Sequence, residues 1–507
     1  MFLRSINNVQ LRSIYTALLM LCLSFSLVAG NGDLFDKGIS KEEAVADLNF
    51  YFKVIDKQHG NPYLYISRDD FQQLIEQKIE ALPAQVTYQQ LSTILIQLNQ
   101  QIRCGHTNVS FGEILNSEES DFFPYPVSII DGDFYIDFED GVLPHATKIE
   151  SINGISGEQL WRELSLLPTT DGFAETKVKR DIEKKFGYYF FLRYGPQSTF
   201  QVGYNSPQGE LLEAEVTAEP ARTMLSNNYY RPVFKTHERY IHFTHQDAID
   251  SLQTLVLTLN TFNAHPEWFY NRMMLSYDEE AERFSFDNLV IDLRNNEGGD
   301  RRLLNILYQL VAGEALSDPS VNSTRSLQIQ REQLKSINGS VRDDKATNAE
   351  DYLNARFINK KDNAFETDQY DWYAKDFKLE LDLSKLKFEG QVYVLTSGST
   401  YSAAADLARI LSRLDNVKLI GEETGGGHEA RTANMILNYQ LPNTNMKLQV
   451  PVIFEKFMNA DADNGIGRGT FPDYYVVQTR QDLINRNDAA FKLALDLIQQ
   501  GNSLGSN

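Results

Sequence analysis

The chain has 507 residues, 42% of them hydrophobic and 23% charged, and a formal net charge of −21. That length leaves room for several domains around a large core. The acidic balance argues against a nucleic-acid partner and against adsorption to anionic lipid.

Arg4 and Arg12 open the chain, an apolar run extends from Ile14 to Val28, and Ala29-Gly-Asn-Gly follows. A basic segment, a short apolar segment and small residues near Ala29 predict a secretory signal over 1–29, and with it a periplasmic or secreted protein. Cys22 would leave with the signal, so the mature chain keeps Cys104 alone and forms no internal disulfide. There is no cysteine cluster for zinc, and no metal or organic cofactor is implied.

Residues 36–110 read as a helical region. Ser40-Lys-Glu-Glu43 and Thr87-Tyr-Gln-Gln90 are capping boxes, and Leu91, Ile94, Leu95 and Leu98 form an apolar stripe. The region ends at Cys104-Gly105-His106-Thr107, which reads as a helix stopped by glycine and passing into a strand. Between 118 and 222 the pattern is β-rich. Val127 to Ile136 is a hairpin with Asp131-Gly132 at its turn. Ile149 to Ile155 is a strand interrupted by Asn153-Gly154, and a helix follows from Glu158. This order resembles a PDZ domain, a module that binds an extended peptide at a sheet edge.

From 223 to 500 strands and helices alternate. Tyr240 to Thr244 is a strand and Ala248 to Phe262 reads as an amphipathic helix. The apolar strand Leu289–Leu293 precedes a helix from Leu303 to Val311. Strand Val392–Thr396, helix Ser402–Leu414 and strand Val417–Ile420 follow. Buried apolar strands between helices predict an α/β domain with a largely parallel sheet. A polar stretch at about 315–388 interrupts it, either as a lid or as a surface insertion.

Four segments of this domain carry chemistry. Ile291-Asp-Leu-Arg294-Asn-Asn-Glu297-Gly298-Gly299 runs a strand into a glycine turn that exposes backbone N–H groups. Thr396-Ser-Gly-Ser-Thr-Tyr401-Ser402-Ala403 places a serine where the first N–H groups of a helix lack partners. Ser402 is there either an N-cap or a nucleophile beside an oxyanion site. Gly421-Glu-Glu423-Thr-Gly425-Gly-Gly427-His428 and Gly465-Ile-Gly-Arg-Gly469-Thr-Phe-Pro472-Asp473 are further glycine-rich strand ends.

Taken in order, these motifs resemble the C-terminal processing peptidase/tricorn family of serine peptidases, which also includes the repeats of interphotoreceptor retinoid-binding protein. The resemblance runs over roughly residues 36–480 and implies a ClpP/crotonase-like α/β core. It implies a peptide or unfolded-protein substrate and an acyl-enzyme on Ser402. Ala403 and Gly298 or Gly299 would supply the oxyanion N–H groups. One branch of the family uses a lysine base in the loop occupied here by Gly427, where this chain has none. The other takes a histidine from an upstream Gly-His-Thr motif, which falls at His106; histidine suits proton transfer near neutral pH. His428 is a competitor for that role, and Asp463 and Glu423 are candidates for the acid that orients the base. Position 405 is alanine where the family usually has glutamate. Two rivals stand beside this reading. One is an inactive or weakly active binding protein on the same fold, for a peptide or apolar ligand. The other is a hydrolase using Cys104.

Overall fold

A computed structural model describes residues 37–110, 120–206, 209–228, 231, 241–244, 249, 251–273, 286–337, 343–361, 364–371, 373, 388–460 and 464–505. The segment 1–29 and Asp463 lie outside them. Helices α1 (Lys41–Gln58), α2 (Arg68–Glu80) and α3 (Tyr88–Ile102) form the N-terminal region. Both capping boxes are made: Ser40 with Glu43, and Thr87 with Gln90. α3 ends with Arg103 in the left-handed region, φ 54°, so the stop is Arg103 and not Gly105. The chain then turns through His106 into β1 (Asn108–Ser110).

The β-rich segment contains β2 (Val127–Ile130), β3 (Asp133–Ile136), β4 (Lys148–Ile152), α4 (Gly157–Leu164), α5 (Glu175–Lys184), α6 (Phe186–Tyr194), β5 (Thr199–Asn205) and β6 (Leu211–Thr217). Its sheet runs β6-β5-β4-β3-β2. Both Asn/Asp-Gly turns have positive φ at each residue, 54° and 84° at Asp131-Gly132 and 51° and 77° at Asn153-Gly154, as primed hairpin turns require. α5 covers the β2 edge: Glu183, itself buried, accepts from the Ile129 N–H at 2.7 Å.

The α/β half opens with β7 (Ile241–Thr244), β8 (Thr254–Leu259), β9 (Asn288–Asp292) and α7 (Arg302–Ala312). The expected helix over 248–262 is therefore a strand across its centre. Thr254–Leu259 is buried on both faces, and an apolar run of that length satisfies a strand inside a sheet as well as a helix against one. Next come β10 (Ser320–Thr324), β11 (Leu334–Ile337), α8 (Asp343–Arg356), β12 (Asn359–Lys361) and β13 (Ala364–Glu366). The remainder is β14 (Gln391–Thr396), α9 (Ala403–Leu411), β15 (Val417–Gly421), β16 (Ala430–Gln440), β17 (Lys447–Phe457), β18 (Tyr474–Tyr475) and α10 (Ala489–Gly505).

One sheet runs β7-β8-β9-β14-β15-β18 and is parallel from β8 onward. α7 and α9 bury Leu303, Leu307, Leu407 and Ile410 on one face, and α10 buries Ala494 and Ile498 on the other. Each such aliphatic burial contributes about 1.5–3 kcal/mol. The fold is thus an α/β core joined to a β-rich segment.

A second sheet, β11-β16-β17-β10-β13-β12 with β1 beside β17, leans on the N-terminal helices. Leu48, Tyr51 and Val54 of α1 and Leu91, Leu95 and Leu98 of α3 share a core with Leu437, Tyr439, Leu448 and Val450. The polar stretch at 315–388 supplies β10 to β13 and α8, so it extends this sheet and is not a bare surface loop. No helix among the described residues is long and apolar enough to cross a membrane.

Candidate active site

Strand β14 ends in the tight loop 397–401, and Ser402 follows at φ 52°, ψ −125°. A non-glycine residue held there stores about 1–3 kcal/mol of strain, of the kind that marks functional turns. The Ser402 side chain makes no capping bond to α9, so it is not the plain N-cap that its sequence position allowed. Two glycines permit the geometry. A Cβ on Gly298 would lie 2.8 Å from both the Ala403 nitrogen and Ser402 Cβ, and one on Gly426 would lie 2.6 Å from Ala405 Cβ.

His106 Nε2 is 3.2 Å from Ser402 Oγ. Behind the imidazole, Nδ1 is 2.9 Å from the Tyr401 hydroxyl, which is 3.0 Å from Asp171 Oδ1. The same carboxylate oxygen accepts the Gly105 N–H at 2.9 Å. This order fixes the protons. Tyr401 has one hydrogen and gives it to the carboxylate, so its oxygen accepts from His106 Nδ1–H. His106 Nε2 is then the lone-pair nitrogen, and Ser402 Oγ–H donates to it. Burial pushes the His106 pKa down from the ordinary value, against the pull of Asp171, which keeps the ring neutral and able to accept. Gly105 has a steric purpose: a Cβ there would sit 2.4 Å from the Tyr401 oxygen.

Among the N–H groups expected at the oxyanion position, Gly298 donates to Asn296 Oδ1 at 2.9 Å. Gly299 and Ala403 donate to no acceptor among the described residues, and Gly299 is exposed. Of the three, Gly299 and Ala403 are therefore the ones whose N–H groups are not already engaged.

Glu423 is not the acid behind His106. Its carboxylate pairs with Arg468 and accepts the Gly469 N–H at 2.7 Å. Asp463 lies outside the described residues. The carboxylate that does face the imidazole is Asp171, 4.0 Å from Nδ1, on the turn between α4 and α5. Sequence reasoning missed it and Tyr401, because Thr170-Asp171-Gly172 reads as an ordinary turn and no motif joins it to the serine. His428 is buried with Nδ1 2.9 Å from Thr470 Oγ1.

Cys104 is buried, donates to the Thr432 carbonyl at 3.5 Å, and has its thiol pushed up to about 12, chiefly by burial; such a thiol is a poor nucleophile. Its sulfur, His106 and Asp171 offer ligand atoms within 4.8 Å of one another, a spacing a metal ion accepts, although His106 and Asp171 are engaged in the relay just described. Lys177 lies 5.0 Å over the Tyr401 ring. Burial lowers its pKa, but Asp181 and Glu297 more than reverse that, so it stays charged. One residue past Ala405, Asp406 is buried within 2.8 Å of Arg431, part of a charged cluster beneath α9.

Residues 253–476 match the family described as Peptidase family S41, so the class is serine-type peptidase. The fold agrees: the chain is similar to mature CPAF at 15% identity, over 90% of this chain and 96% of that one, with a TM-score of 0.59. It is also similar to mature CPAF complexed with lactacystin, at 14% identity over 90% and 97%, TM-score 0.60. A further match is the photosystem II D1 C-terminal processing protease, at 13% identity over 86% and 93%, TM-score 0.41. A search of curated proteins gives no significant match. The family match thus covers residues 253–476 of the chain, the segment that holds Ser402 and both glycine turns. His106 and Asp171 both lie upstream of the matched segment.

Proposed function

We propose that the protein is an exported serine peptidase that cleaves peptide bonds through an acyl-enzyme on Ser402. The observation that carries this is the 3.2 Å contact between Ser402 Oγ and His106 Nε2 at a backbone-strained serine. Ser402 Oγ attacks the carbonyl carbon and its proton passes to His106 Nε2. The carbonyl π electrons move onto oxygen, where Gly299 and Ala403 N–H groups receive the charge; losing one such donor typically costs about 2.7–4 kcal/mol. His106 then protonates the departing amine nitrogen. Water then attacks the acyl carbon as His106 takes its proton, and that proton passes to Ser402 Oγ as the carbon–Oγ bond breaks and the acid leaves. Tyr401 and Asp171 act through the imidazole: they hold the Nδ1–H tautomer and stabilise the imidazolium.

Export is supported by the basic, apolar and small-residue order of residues 1–29, and a peptide or unfolded protein suits the family. The test is labelling of the full chain lacking 1–29 with a fluorophosphonate, beside Ser402→Ala and His106→Ala variants, with the adduct mapped by mass spectrometry. An adduct on Ser402 that disappears in both variants is expected. Folded protein that takes no adduct would instead point to a ligand-binding protein on this fold.

A further inference from the structure

A cavity of about 590 Å³ opens beside Gly299 and is lined by Ile337, Tyr352, Tyr370, Ile453 and Glu455 among others. Its volume lies within the range of small-ligand sites, about 300–1,000 Å³. A carbonyl oxygen on the Gly299 N–H brings its own residue's Cβ within two bonds of the attacked carbon, whereas the leaving residue's Cβ is three bonds away. The acyl-side residue is therefore the one whose side chain lies nearest the cavity.

Part of the wall comes from described residues of the stretch at 315–388. β11 contributes Ile337, α8 contributes Ala349 and Tyr352, and Tyr370 follows β13. Arg356 fixes both tyrosines: its guanidinium lies 4.0 Å over the Tyr352 ring and its Nε donates to the Tyr370 hydroxyl at 3.2 Å. The charges at the cavity are already matched. Glu455 pairs with Arg301 at 2.9 Å and with Arg431 at 3.0 Å, and Asp300 pairs with Arg302. A charged side chain entering here would lose its water and meet counter-ions that are already engaged.

We infer that this cavity receives the acyl-side side chain of the substrate, selects a bulky uncharged one, aromatic or aliphatic, and owes that selectivity to the 315–388 stretch. The inference rests on the peptidase reading for its orientation, and the test separates the two. Peptidyl diphenyl phosphonates carrying a benzyl, methyl or carboxymethyl group at the acyl-side position are reacted with wild type, Ala349→Trp and Tyr352→Ala. The rate of Ser402 modification is followed by mass spectrometry. Benzyl should exceed methyl and carboxymethyl by about 10–200-fold, the range of apolar-pocket discrimination. Filling the cavity with Ala349→Trp should bring the benzyl-to-methyl ratio down at least ~10-fold, and Tyr352→Ala should weaken the ratio independently. A wild-type ratio near unity, or one that neither variant moves, overturns the inference. In parallel, Ser402→Ala protein is titrated calorimetrically with two peptides that differ only by Phe against Asp at that position, with and without Ala349→Trp. If no phosphonate reacts, the peptidase reading fails on its own, and a Phe preference abolished by Ala349→Trp still upholds the pocket. Equal affinities for the two peptides reject it.

Discussion

Replacing Asp171 by Asn removes a charge while keeping an oxygen able to accept from Gly105 and Tyr401. The lost interaction can be sized. Asp171 lies 4.0 Å from His106 Nδ1, and unit charges at that distance interact by about 4 kcal/mol at an effective dielectric of 20. Nearly all of it is felt only when His106 carries the proton, in the transition state, so kcat should fall ~10³-fold. Activity requires neutral His106, whose pKa burial already lowers. The acid limb of the wild-type profile should therefore fall below about 6.5, and the substitution should move it lower still, because a raising influence has gone. The assay is Ser402 labelling rate and peptide turnover across pH 4–9, with Glu423→Gln as the control, since Glu423 serves Arg468 and Gly469. An Asp171→Asn protein that keeps more than a tenth of its activity with an unmoved acid limb, or a Glu423→Gln protein equally impaired, refutes the assignment.

Tyr401→Phe leaves Nδ1–H and the carboxylate too far apart to bond directly; a hydrogen bond to a charged group is worth about 1.5–3 kcal/mol, so kcat should drop ~10–150-fold, and less than additively with Asp171→Asn. Gly105→Ala puts a methyl 2.4 Å from the Tyr401 oxygen and 2.9 Å from its Cζ and should cost at least ~10-fold in turnover; because Cζ remains in Phe, the Gly105→Ala/Tyr401→Phe pair should still be worse than Tyr401→Phe alone. His59 is fully buried, accepts from the Asn61 N–H at 3.1 Å, and has its pKa lowered to about 3, mainly by burial. Its folded value lies below the unfolded one, so its stabilisation is complete above about pH 6.5 and is lost as pH falls towards 3. At pH 5 that amounts to about 2 kcal/mol, and His59→Gln should flatten the acid limb of urea-unfolding stability.

The catalytic half was legible because its signals are local. Leu289–Leu293, Val392–Thr396 and Val417–Ile420 are apolar runs closed by glycine or small polar residues, and the structure pairs them in parallel. The exception at 254–259 arose where an apolar run carried no period that separates strand from helix. The β16–β17 hairpin was missed because Asn434 and Met435 interrupt its alternation with positive φ, 57° and 45°. For the site, Ser402, His106 and the glycines could be named from motifs that hold within a few residues. Asp171 and Tyr401 could not. Their roles depend on a contact 230 residues apart in sequence, and nothing in either neighbourhood encodes it.

That separation has a mechanical consequence. His106 hangs from α3, whose core is shared with the second sheet, Asp171 comes from the β-rich segment, and Ser402 from the parallel sheet. Short, specific contacts bind the three together. The Gly172 N–H donates to the Arg103 carbonyl at 2.9 Å, and Thr176 Oγ1 donates to the Glu423 carbonyl at 3.0 Å. Arg180 reaches Glu422 at 2.8 Å, while a Cβ on Gly398 would come within 2.1 Å of the Thr176 carbonyl. α5 is therefore clamped to the loops that end β14 and β15, and the turn carrying Asp171 precedes it directly. A displacement of the β-rich segment by about 1 Å would be enough to break the Tyr401 bridge, a misplacement that can cost ~10²-fold in rate. Loosening the clamp with Arg180→Ala should accordingly lower kcat without touching any reacting group. Because the imidazole would lose its Asp171 partner, the acid limb should move in the same direction as in Asp171→Asn.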